Sequence, residues 1–243
     1  FIWTLAQWML ALIQETPLEF NHPTLTFGLM AGVFLTLSNL LLLESFRYID
    51  VSLGTTIYRL NTIGVVLLSF LLLHETFGWI KGFGILLGLV GVFLLYKSKS
   101  PQSHQKQLLL FVGLAGIASL FRAAYGVSTK AGLLEDANRN AMLLVIASSW
   151  IVGGALYAIF REKRFRLNWE KARFILISSI LVVGIANFLM LAVQHGEAST
   201  VIPVANMSFV IAILLSTALK MERLSAKKIA AIICAAGSIF LLA

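Results

Sequence analysis

The chain has 243 residues, 59% hydrophobic and only 12% charged, with a net charge of +8 and a mean hydropathy of +0.90. A soluble domain carries about 45–50% apolar and about 25% charged residues, so this chain cannot clothe a soluble fold and its natural solvent is lipid. The single cysteine, Cys234, excludes an internal disulfide framework and a multi-cysteine metal site, and reads as a small packing residue in an apolar run.

A helix needs about 20 apolar residues to cross a hydrocarbon core of about 30 Å. The first run, Ile2–Ile13, is too short for that and reads as the tail of a helix whose start is absent. No charged leader precedes it, so a signal peptide is not the natural reading. Past Pro17 and Pro23 come Thr24–Leu43, Ser52–Leu73 and Trp79–Tyr96, then the polar stretch KSKSPQSHQKQ at 97–107. Leu108–Thr129 and Ala141–Phe160 follow, then the basic segment REKRFRLNWEKAR at 161–173. Phe174–Val193, Ser199–Leu219 and Lys227–Ala243 complete eight candidate spans. Strands are excluded: there is no barrel-type alternation, and an open sheet cannot satisfy its edges in lipid.

The basic residues sort by loop. With the helices numbered one to nine in chain order, the odd loops hold three: Lys81, Lys130 and Arg139. The even loops hold fourteen: Arg47, three within 97–106, six within 161–173 and four within 220–228. The positive-inside rule places the even loops in the cytoplasm. The charge is therefore a topology signal. No basic groove interleaved with aromatic residues points to nucleic acid.

The chain also repeats itself. Arg47–Leu73 and Gln194–Lys220 align at an offset of 147 residues, which pairs Asp50 with Glu197, Ser52 with Ser199 and Glu75 with Glu222. The same offset takes Gly84 and Gly88 to Ala231 and Ala235, small-xxx-small faces that let backbones approach closely, between halves of one chain or between two copies. The second half counts five helices. An odd number makes two such halves cross the membrane in opposite senses, as in many secondary transporters.

Tyr48–Thr76 and His195–Arg223 each join a short polar stretch to a helix of small and apolar residues and close on a Glu. A Gly/Ala-rich helix ending in Leu94–Leu95 or Leu241–Leu242 follows each. The chain thereby resembles the EamA-type branch of the drug/metabolite transporter superfamily. The resemblance implies an all-α polytopic membrane protein with two inverted five-helix repeats, 1–100 and 101–243. About nine of its ten helices are present, and about 45 residues are missing in front. It further implies a central cavity, transport of small metabolites, often export, and a bacterial plasma membrane. Family members are expected to keep both termini in the cytoplasm, whereas the charge count places the end of the last helix outside.

Two arginines fall inside helices. Arg59 lies in IYRLNT and Arg122 in SLFRAAYG. A midspan Arg is costly and normally faces a cavity or a partner. Each either binds an anionic solute group or snorkels or pairs with helix-end carbonyls. Arg59 gains weight because its repeat mate is Asn206. Asn39, Tyr58, Asn61, Tyr125 and Asn187 lie at similar depths, near Pro203, as substrate contacts or as interhelical glue. Trp8, with Trp3, either borders the cavity or anchors at the interface. Trp79 and Trp169 read as interfacial anchors. Glu75 and Glu222 read as turn caps at the membrane face, so no midspan carboxylate offers a proton relay. The four histidines lie in or near loops, and no H-E-x-x-H motif, deep Asp pair, nucleophile motif or P-loop is present. The expectation is a secondary transporter, neither enzyme nor pump, whose partners are a small solute and the bilayer. No nucleic acid, metal or cofactor is expected, and a homodimer is left open. The alternatives are a membrane scaffold or receptor-like protein and, last, an intramembrane enzyme.

Overall fold

Lipid offers no partner to a backbone amide, and a helix satisfies its own amides locally. The computed structural model describes residues 1–15, 17–47, 49, 51–94, 105–162, 168–219 and 225–242, and the regular structure among them is helical throughout. The elements are α1 (Ile2–Ile13), α2 (His22–Ser45), α3 (Val51–Arg59), α4 (Asn61–Leu72), α5 (Trp79–Leu94) and α6 (Gln105–Leu134). They continue with α7 (Arg139–Tyr157), extended by a π turn over Ala158–Glu162, then α8 (Trp169–His195), α9 (Ala198–Asn206), α10 (Phe209–Ala218) and α11 (Ala226–Leu242). Among the described residues, six helical segments are long and apolar enough to cross a membrane: His22–Ser45, Gly54–Leu72, Leu110–Leu134, Arg139–Arg161, Lys171–His195 and Ala198–Leu215. Among the described residues, helices α5 and α11 are shorter than these six, at 16 and 17 residues. The chain is an all-α, multi-pass membrane protein.

The 147-residue offset reappears in the helix boundaries. It carries α3 onto α9 residue for residue, α2 to the start of α8, and α5 to the start of α11. The sequence predicts two continuous spans, Ser52–Leu73 and Ser199–Leu219, and the structure interrupts the α-helical ladder of each with one tight right-handed turn, a local break. Leu60 separates α3 from α4, and Met207 and Ser208 separate α9 from α10. Leu60 and Met207 are themselves 147 residues apart.

Contacts divide the chain into two compact units. One is Phe1–Leu40 with Ala124–His195, and the other is Leu41–Ala123 with Gly196–Ala243. Each draws on both sequence halves, and the expected boundary near residue 100 lies outside the described residues.

In the first unit, α1 packs on α7 and α8 around Trp3, Leu35, Met142, Ile146 and Met190. Close packing of α2 on α7 relies on glycine. A Cβ on Gly32 would lie 2.5 Å from Ser149 Oγ and 3.2 Å from the Ile146 Cα, which cannot step aside. Gly32→Val should therefore destabilise by about 1–3 kcal/mol, read as a lower melting temperature of the purified protein. The loops lock by caps. Asn138 accepts the Ala141 amide at 2.9 Å to start α7 and gives its own N–H to Thr24 Oγ1 at 2.8 Å. On its outer side α8 exposes Phe174, Ile177, Leu181, Ile185 and Phe188 at helical spacing, an apolar stripe suited to acyl chains.

In the second unit, α5 packs on α11. Gly91 sits 3.1 Å (from its would-be Cβ) from the Ala231 carbonyl, and Gly88 faces Met207 and Ser238. Gly84, Gly88, Ala231 and Ala235 are buried in this contact, so their small faces join the two halves of one chain.

Candidate functional site

The two broken helices of the second unit meet at their breaks, where α4 packs against α9. Both breaks have the same backbone bonds. Leu60 N–H donates to Ile57 O and Ile63 N–H to Leu60 O, each at 3.0 Å. At the other break Met207 N–H donates to Val204 O and Val210 N–H to Met207 O, at 2.9 and 3.0 Å. These are i→i−3 bonds, tighter than α-helical ones. In consequence the amide that a continuous helix would send to Asn206 O turns to Met207 O instead. Pro203, inside α9, also withholds an amide from the ladder. The α3–α4 break contains no proline, and the side chains that follow it are held from outside.

Arg59, the last residue of α3, donates from Nη1 to the Asn206 carbonyl that the break has released. Its guanidinium lies over the Phe209 ring, 5.3 Å from the centroid, a cation–π distance. The Asn206 amide nitrogen donates to Asn61 Oδ1 and to Thr62 Oγ1, both at 2.8 Å, which uses both of its hydrogens. Asn61 and Thr62 are buried at 2% and 1% exposure. Arg59, Asn61 and Asn206 thus form one polar node. A guanidinium has five N–H donors and, among the described residues, the Asn206 carbonyl takes one, which leaves capacity for an anionic group.

The other predicted residues are placed differently. Tyr58 precedes Arg59 on α3 and is half-buried. Arg122, half-buried on α6, belongs to the same unit, and its neighbour Ala123 faces Gly64 of α4. Asn39, Tyr125, Asn187 and Trp8 belong to the first unit. Asn39 is half-buried on α2, and Tyr125 lies in the core beside Met142 and Leu143. Asn187 exchanges amide hydrogen bonds with Gln7, donating to Gln7 Oε1 at 2.7 Å and accepting from Gln7 Nε2 at 3.2 Å. Trp8 is 51% exposed, while Trp3 is buried. Trp79 and Trp169 are exposed at the starts of α5 and α8, as interfacial anchors would be. A cleft of about 740 Å³ between α2 and α7, lined by Leu29, Val33, Thr36 and Val152, includes none of the nine predicted residues.

Several residues escape a sequence reading. Gln7 is fully buried, and a lone Gln in a short helix gives no depth signal. A double-mutant cycle on Gln7→Leu and Asn187→Leu should give a coupling of about 0.6–1.7 kcal/mol in thermal unfolding. Lys130 corrects a sequence assignment. It is counted above as a loop residue, yet α6 continues to Leu134 and buries it. Its Nζ donates to Val193 O at 2.9 Å, in the last turn of α8, where a cation complements the helix dipole. Glu75 does cap a helix. Its two oxygens accept the Ala198 and Ser199 amides at 2.7 and 2.9 Å and so start α9 from the loop after α4. Lys81 pairs with Glu197 beside it. Glu75→Ala should lower stability by about 0.5–2 kcal/mol, checked by thermal melting. Glu222, Asp50 and Leu95 lie outside the described residues.

Apolar flanks, paired midspan breaks and a buried polar node define the class of a multi-pass membrane transporter. The EamA-like transporter family profile matches residues 1–97 and 109–243, and the chain belongs to that family. A solved structure, titled only as the crystal structure of a protein, superposes with a TM-score of 0.84 over 99% of this chain and 84% of its own, at 16% identity. No curated protein matches the chain.

Proposed function

We propose that the chain is a secondary transporter of small metabolites bearing a carboxylate or phosphate, working by alternating access and operating as an exporter at a plasma membrane. The observation that carries this reading is Arg59, a midspan guanidinium held at the meeting of two broken helices with donors to spare. Broken helices supply backbone partners at mid-depth, and an Arg there is retained where it has a charge to meet. Amino acids, sugar phosphates and nucleotides all carry such a group. In the second unit Arg122 is the second candidate cation, with Tyr58, Asn61 and Asn206 as neutral solute contacts near Arg59; within the first unit Asn39, Tyr125, Asn187 and Trp8 are each proposed separately as solute contacts.

The test is counterflow in proteoliposomes loaded in turn with amino acids, sugar phosphates and nucleotides. Exchange of at least one anionic solute, blocked by Arg59→Ala, is the expected result. Failure of every solute to exchange would favour a scaffold instead. Exchange only of cationic or neutral solutes would reject the anion assignment.

A further inference from the structure

Broken membrane helices commonly hold monovalent cations on the carbonyls that the break unwinds. The node around Arg59 holds two groups that attract a cation. It offers the Asn206 carbonyl, released because the Val210 amide turns to Met207 O, and the π face of Phe209. Asn61, Thr62 and the Asn206 amide form a fixed polar network beside it. The four helix segments, α3, α4, α9 and α10, contain no Asp or Glu, so these segments meet a positive charge with neutral oxygens and a ring face alone. The Asn206 carbonyl and the Phe209 ring are already engaged by the guanidinium of Arg59.

We infer that Arg59 is a tethered stand-in for a coupling cation: its guanidinium fills, from within the chain, the place that free Na⁺ or K⁺ takes at other helix breaks. The two broken helices are thereby held at their crossing without an ion drawn from solution, and the transport cycle needs neither a Na⁺ nor a K⁺ gradient. The inference goes beyond the substrate reading and stands whichever solute is carried. Arg59 is in this respect a positioning residue as well as a candidate ligand.

The test detaches the charge and supplies it again. Purified Arg59→Ala, or Arg59→Gln should the alanine variant not fold, is melted with guanidinium, Na⁺, K⁺ or choline at matched ionic strength. The variant should melt below wild type. Guanidinium at low millimolar concentration should raise its melting temperature saturably, by about 3 °C at ten times the dissociation constant. Guanidinium ordinarily weakens folded states, so stabilisation by it reports a site. Adding Phe209→Leu should weaken that rescue roughly 5-fold through loss of the ring face. Wild type should respond to none of the four cations. Saturable rescue by Na⁺ or K⁺ instead of guanidinium would also support a vacated cation site. A folded variant that no cation rescues, a rescue indifferent to Phe209, or a wild type that Na⁺ or K⁺ saturably stabilises would each overturn the inference. Wild-type counterflow that stops on replacing Na⁺ and K⁺ with choline would overturn it as well.

Discussion

Arg59→Ala, inserted and purified at near wild-type yield, should lose at least about 10²-fold in counterflow of the anionic solute. The magnitude follows from the bonds removed. Hydrogen bonds to a charged group contribute about 1.5–3 kcal/mol each, and a guanidinium grips a carboxylate or phosphate through two of them. Loss of two such bonds gives roughly 10²–10⁴-fold. Arg59→Lys should fall between, since an ammonium keeps the charge but not the planar fork. Arg59 also holds the Asn206 carbonyl, so the measurement needs a fold control, either circular dichroism or the guanidinium rescue. A folded Arg59→Ala with unchanged transport would remove Arg59 from the pathway.

The second large effect is expected from Asn206→Asp. The substitution is nearly isosteric and the node can absorb it: the Asn61 amide can rotate to donate, and the Thr62 hydroxyl can turn its hydrogen toward the new carboxylate. What changes is charge. A carboxylate on the residue whose carbonyl already binds Arg59 partly neutralises the guanidinium, and opposite charges at close range interact by about 1–4 kcal/mol in a partly solvated setting. Anion affinity should fall roughly 10-fold or more, while the melting temperature stays near that of wild type. Asn206→Leu gives the opposite pattern. It removes both amide donors and leaves Asn61 and Thr62 without them, so it should cost about 1–3 kcal/mol of stability. An Asn206→Asp variant that transports normally would show that solute and guanidinium do not meet.

The fold was legible where hydropathy and repetition carry the signal. Lipid demands apolar runs, so the spans stand out, and the offset that pairs Ser52 with Ser199 also pairs α3 with α9. The breaks were less legible. Pro203 lies a full turn before one of them, inside α9, and Leu60 has no sequence signature because its break is held by bonds from a helix almost 150 residues away. Of the candidate residues, Arg59, Asn61 and Asn206 come together because each sits at a break, where repeat position already aligned Arg59 with Asn206. Asn187 could be placed at depth from the sequence, but its partner Gln7 could not, because pairing across 180 positions leaves no local pattern. Lys130 was misassigned for a simpler reason: a cation at the end of an apolar run looks like a loop until the helix is seen to bury it.

The paired breaks also have a mechanical meaning. Each broken span is two short rods joined at mid-depth, nine and twelve residues in one and nine and ten in the other. Bending a continuous helix ruptures i→i−4 bonds, but at these joints the bonds are already i→i−3. A change of angle there sacrifices little. Because Arg59 of one joint donates to the carbonyl of the other, the two joints are tied to each other at the point where each has the fewest α-helical bonds to lose.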